Sequence, residues 1–200
     1  SLQAFNSIDS LMKLLNTEIS SDLVPEISLP TSLLSPEAET ELVTLLHDVY
    51  APRVNAALAV SQGREHLQLY LAPNMRMSGN KHSGSPHFLA NYANDIERTS
   101  MGLLRGRLVG VVKSFDRWNS GMRNQGPHRQ VEYLNGLAHL QRCMREHSCR
   151  YGFILTEIEL VCVRAGCDFD DDVPYFGFLE VAPAIPTKIS AASFTHESWL

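Results

Sequence analysis

No stretch of the 200-residue chain approaches the run of about 18 apolar residues that a membrane-spanning helix needs, so a membrane partner is not expected. Basic residues are outnumbered, 17 Lys and Arg against 22 Asp and Glu, for a formal charge of −5. Indiscriminate binding to nucleic acid needs a basic surface, so any such contact has to come from a local patch. Gly-x-Gly-x-x-Gly and P-loop stretches are missing, which removes support for nucleotide binding of those types, and there is no Gly-x-Ser-x-Gly nucleophile elbow. The opening "SLQAFNSIDSLMKLL" lacks a basic n-region and a small-residue cleavage pattern, so no secretory signal is expected. The four cysteines, Cys143, Cys149, Cys162 and Cys167, crowd into one part of the chain without Cys-x-x-Cys pairs. That pattern fits neither a disulfide framework nor a zinc knuckle; it suits free thiols in a reducing compartment, an intracellular location in cytoplasm or nucleus. Asp168, Asp170, Asp171 and Asp172 form an acidic loop without the bidentate glutamate of a calcium loop.

What is present is a helix-and-strand pattern. "NSIDSLMKLL" predicts a short N-terminal helix, and the Pro-bearing stretch Val24 to Pro36 predicts a linker. Ser35-Pro36-Glu37 is a helix start, and Leu42, Leu45, Leu46 and Val49 make its apolar stripe. Pro52 is expected to break or kink that helix before a second piece, "RVNAALAV", which Gly63 closes. "HLQLYLA" alternates as a half-buried strand, and residues 73–106 read as a long connection. A strand over about Arg107 to Phe115 follows, then a loop from Gly121 to Gly126 and a long helix from Pro127. That helix buries Tyr133, Leu137, Leu140 and Met144 and turns His128, Glu132, Asn135, His139, Arg142 and Glu146 to solvent. "YGFILT", "ELVCVRAG" and "YFGFLEVA" complete the strands before the Pro-rich exit "PAIPTK". The order predicts an α+β or α/β sheet flanked by helices.

The chemistry centres on "GRLVGVVKSFDRWN". Alternation puts Val109, Val111 and Lys113 on one face of the strand, with Lys113 at its end. A lysine two residues after an acid is a pattern of metal-dependent nucleases, in which the carboxylate holds a divalent ion and the lysine orients water and phosphate. Here that position is Val111, which cannot ligate magnesium. Arg105, Arg107, Lys113, Arg117, Arg123 and Arg129 concentrate basic charge around Trp118, a pattern suited to a phosphate backbone and a stacked base. The alternative for these residues is an ordinary solvated face, and for Lys113 the polar end of a buried strand.

The segments "GVVKSFDRW", "PHRQVEYL", "RYGFILTEIELVCVRAG" and "YFGFLEVAPAIP" resemble a group of fungal proteins with a PD-(D/E)XK nuclease-like domain. The resemblance covers about residues 107–187. It implies an α/β, restriction-endonuclease-like mixed sheet flanked by helices, with an N-terminal helical segment over residues 1–35 and the nuclease-like domain over 36–200. Gly110 and Lys113 match the motif, Trp118 matches its aromatic, and Gln130 falls in the region of a site-orienting helix glutamine. Val111 replaces the acid, and the motif's first acid is expected from Asp95 or Glu97, with Glu41 a further carboxylate to place relative to Lys113. The expected site is therefore Lys113, Asp95 and Gln130 as the catalytic set, with Arg117, Trp118, Arg123 and Arg129 on the ligand and no metal-ligating set.

With one acid lost, the expectation is a pseudoenzyme that binds nucleic acid, RNA or tRNA among them, or another phosphate-bearing ligand, with little or no cleavage. No cofactor is expected, unless an acidic pair completed near Lys113 holds Mg2+. The alternatives are an aminoacyl-tRNA-dependent enzyme such as an arginine-containing cyclodipeptide synthase, with the Asp170–Asp172 loop meeting a guanidinium; a protein-interaction module with a protein partner at the "YFGFLEVAPAIP" edge; and an active metal-dependent nuclease.

Overall fold

Leu42, Leu45, Leu46 and Val49 are all buried, as their spacing predicts. They lie on α1 (Glu39–Leu45) and on a π-helical turn, Leu46–Tyr50. The computed structural model describes residues 39–63, 65–73, 84–166 and 178–187. The expected N-terminal helix and linker, the Ser35-Pro36-Glu37 helix start, Cys167 and the acidic loop lie outside those residues. Pro52 does not break the helix. It sits in the first turn of α2 (Ala51–Gln62), directly after the π turn, where a missing N–H costs least. Gly63 ends α2 at φ 79°, and its N–H donates to the Ala59 carbonyl at 2.9 Å.

The chain then builds β1 (Gln68–Leu71), β2 (Phe88–Asn91) and β3 (Leu108–Val112) as an antiparallel run. A 3-10 turn (Ser120–Asn124) and α3 (Pro127–Glu146) carry it across to β4 (Tyr151–Leu155), which is parallel to β3. Parallel neighbours need such a crossover, and here a 20-residue helix supplies it. β5 (Glu159–Ala165) returns antiparallel to β4, and β6 (Leu179–Val181) and β7 (Ile185–Pro186) pair with successive parts of β5. The result is a mixed α/β architecture with a seven-stranded sheet. β2 lies within the stretch that reads as a loop. All four of its residues are buried, so the alternation that betrays a half-buried strand is missing. β7, likewise, occupies the Pro-rich exit. Among the described residues no helix is long and apolar enough to cross a membrane.

The sheet is covered on both faces. Leu89, Val109, Val111 and Ile154 pack with Leu137, Leu140 and Met144 of α3. Phe88 and Val112 pack with Leu42, Leu45 and Val49 of the first helical layer. The residues after β3 are held by the β4–β5 hairpin. The Lys113 N–H donates to the Leu155 carbonyl at 3.0 Å, and the Phe115 N–H to Glu157 Oε2 at 2.7 Å. Glu159 accepts both the Ser120 N–H at 2.6 Å and the Ser120 hydroxyl at 2.8 Å. The two carboxylates of "TEIE" thus pin the segment that carries Lys113, Arg117 and Trp118.

Glu159→Ala removes a buried acceptor and leaves the Ser120 N–H without it, so a loss of about 1.5–3 kcal/mol is expected in denaturant melts. A midpoint within error of the wild type would show that Glu159 does not hold this segment.

Candidate functional site

Lys113 follows β3 on the same side as Val109 and Val111, the side covered by α3. Beyond the end of that packed core it opens into a cleft of about 620 Å³. Glu39 of α1, Gly84, His87, and Asn135, Ala138, His139 and Arg142 of α3 line the cleft with it. His87 is the residue before β2. Its N–H donates to the Gly110 carbonyl at 2.8 Å, extending the β2–β3 ladder, and its side chain turns toward β3. The Val112 N–H donates to His87 Nδ1 at 3.1 Å, which puts the proton of the neutral ring on Nε2. That nitrogen faces Glu39 Oε1 at 3.5 Å. Both ring nitrogens are therefore engaged, and His87 positions Glu39.

Burial raises the Glu39 pKa, but the His87 hydrogen bond and the charges of Lys113 and Arg117 outweigh it and lower the carboxyl below its ordinary range. Arg117, exposed after Lys113, thus acts on the site through its charge. On the α3 side His139 is pushed down to about 4, first by burial and then by the positive charges of Lys113 and Arg142. Its Nε2 is buried and has no hydrogen-bond partner among the described residues. The site is cationic in excess. Lys113 and Arg142 form no ion pair among the described residues, whereas Arg105, Arg107, Arg129 and Arg164 each have a carboxylate. Among the described residues Glu39 is the one carboxylate in the lining.

Of the predicted residues, Lys113 lines this cleft, and Arg117 is exposed and outside the lining. The others lie elsewhere. Asp95 sits at the far end of β3, where Arg107 donates to it from Nε at 2.7 Å and from Nη2 at 2.5 Å. These bonds hold the Asp95 carboxyl at about 2 and commit it to an ion pair at the other end of the strand from Lys113. Glu97 pairs with Arg105 at 2.7 Å, and Glu41 is exposed on α1 and outside the lining. Trp118 is 1% exposed and stacks on Tyr133, with centroids 5.7 Å apart and planes 12° apart. Its indole N–H donates to the Tyr133 carbonyl at 3.1 Å, so it is a core residue and presents no face to a base. Gln130 is exposed and donates to the Gln125 carbonyl at 2.9 Å, tying down the start of α3. Arg129 bonds the Asp116 carbonyl at 2.9 Å and Glu132 at 2.7 Å. Arg123 is exposed on the 3-10 turn and outside the lining.

Sequence reasoning missed Glu39, His87 and the inward placement of His139. Tertiary structure assembles the three from α1, the start of β2 and α3, and no local motif joins them. A divalent metal does not fit this lining. One carboxylate, a histidine with both nitrogens engaged and two facing cations make a poor oxygen cage. Among the described residues no group of three His, Cys, Asp or Glu side chains gathers to hold an ion. Cys143, Cys149 and Cys162 are free thiols, and burial pushes the first two up to about 12. Comparison of the chain with family models, with curated proteins and with solved structures finds no match.

Proposed function

We propose that the chain is a degenerate PD-(D/E)XK nuclease-like domain whose cleft binds a phosphate group of a nucleic acid, with little or no cleavage. One observation carries this reading. Lys113 and Arg142 face the cleft without an ion pair among the described residues, and a single carboxylate, held by His87, accompanies them. Two such cations beside one acid attract an anion more than a divalent metal. The Asn135 amide on the same wall adds a neutral donor of the kind phosphate oxygens accept. The mixed sheet flanked by helices agrees with the resemblance at the level of fold class. The active-nuclease alternative needs a second acid beside Lys113, and Asp95, Glu97 and Glu41 do not line the cleft. The cyclodipeptide-synthase alternative draws on the Asp170–Asp172 loop, outside the described residues.

Lys113→Ala is expected to weaken binding of single-stranded RNA or DNA about tenfold or more, as follows from losing a charge-assisted hydrogen bond. Fluorescence anisotropy at one fixed salt concentration measures it, since phosphate contacts are salt-dependent. Lys113→Arg should keep most of the affinity, and any nuclease activity should stay at background in all three proteins. Equal RNA and DNA affinity for wild type and Lys113→Ala, with both folded by circular dichroism, would overturn the reading.

A further inference from the structure

His139 lies one helical turn after Asn135 and three residues before Arg142, so the three share one wall of the cleft while Lys113 and His87 form the other. Its Nε2 is buried without a partner among the described residues, whereas the two histidines buried among those residues, His87 and His147, each accept a backbone N–H. The groups around it are Lys113 from the end of β3, His87 from the start of β2, Arg142 on α3 itself and Glu39 from α1. Burial and the charges of Lys113 and Arg142 hold the ring neutral, at about 4, against a hydrogen bond to the Ser85 backbone that favours the proton. An anion seated among the same groups opposes that positive field.

The charge balance then separates two phosphate classes. With His87 accepting at Nδ1, the charged groups of the lining, Lys113 and Arg142 against Glu39, leave one net positive charge, which a phosphodiester matches. A phosphate monoester brings a second negative charge, and His139 is placed to match it by taking a proton. We propose that the cleft takes the terminal phosphate of a nucleic acid, a monoester dianion, and that its binding draws a proton onto His139. This rests on the phosphate-binding reading of the same cleft.

The test is isothermal titration calorimetry with one oligonucleotide in two forms, phosphorylated at both ends and unphosphorylated, in two buffers of different ionisation enthalpy. The phosphorylated form is expected to bind about tenfold tighter, the effect of one further charge-assisted contact. It should take up close to one proton near pH 7, where the monoester, with its second pKa at about 6, is already largely a dianion. Its affinity should fall about threefold or more between about pH 7 and pH 8, since the complex holds a proton that the free protein does not. His139→Gln should abolish the proton uptake and that pH dependence.

Equal affinity for the two forms, with sensitivity to Lys113→Ala, leaves the phosphate-binding reading standing and overturns the end-group assignment. Inorganic phosphate that binds as tightly as the phosphorylated oligonucleotide overturns it too, as a site for the free ion. Preference for the phosphorylated form without proton uptake in wild type, or with uptake that survives His139→Gln, overturns the role of His139. Binding of neither form overturns the phosphate-binding reading itself.

Discussion

Trp118→Ala is expected to lower folding stability by about 3–5 kcal/mol, the range for removing a buried aromatic side chain from a packed core. The indole is 1% exposed, stacked on Tyr133 and hydrogen-bonded to the Tyr133 carbonyl. Gly136, on the same helix, leaves the space that the indole fills: a Cβ there would overlap the ring. Trp118→Phe keeps most of the volume and loses the N–H donor, so a smaller loss of about 1–2 kcal/mol is expected. Chemical denaturation of the three proteins measures both values. A wall residue that stacked a base would behave in the opposite way. Its alanine variant would bind nucleic acid less well and keep its stability within about 0.5 kcal/mol, as surface substitutions usually do. That result would return Trp118 to the ligand.

Trp118 shows where sequence reading stops. An aromatic beside Arg117 and Arg123 has the same local pattern whether it stacks a base or plugs a core. The deciding fact is Gly136, 18 positions later, and only the packing of α3 on the 113–120 segment joins the two. The apolar stripes of α1 and α3 were legible, because helical periodicity reports directly on which face is covered. The parity of β3 was legible too: Val109 and Val111 share the α3-covered face, and Lys113 continues it into the cleft. Strand β2 was not, since burial of all four residues erased the alternation. His139 precedes the fully buried Leu140, at the border of the α3 stripe. Whether such a border position meets solvent depends on what the sheet places above it, here His87 and Lys113.

Asp95, Glu97 and Glu41 are the acids expected from the sequence, whereas Glu39 lines the cleft. Two residues along a helix turn the side chain by about 200°, so Glu39 and Glu41 point to opposite sides of α1. Composition cannot choose between them; the docking of α1 on the sheet does. Asp95 was out of reach for a different reason. Its partner Arg107 enters β3 at one end and Lys113 leaves it at the other, so closeness in sequence concealed separation along the strand.

Val111→Asp places a carboxylate two residues before Lys113, and it is expected to destabilise the protein by about 3–5 kcal/mol near neutral pH, the cost of an uncompensated buried charge. Val111 has no exposed surface, pairs with Ile154 of β4 and belongs to the α3-facing core. The new carboxyl therefore titrates above the about 3.9 of an unfolded aspartate. With the folded pKa raised, the charge penalty is absent below the unfolded value, grows as pH rises through the folded one and is complete above it. The difference from wild type in denaturant melts should thus be larger at about pH 8 than at about pH 4.5. Val111→Asn, polar but uncharged, should show a loss that does not change with pH. If Val111→Asp instead costs under about 1 kcal/mol at neutral pH and gains stability when Mg2+ is added, its carboxylate has reached the cleft beside Glu39. That outcome would supply the acidic pair a nuclease needs. The expected one means that the valine belongs to the core of this fold, and that a single substitution at this strand does not build the acidic pair that metal chemistry needs.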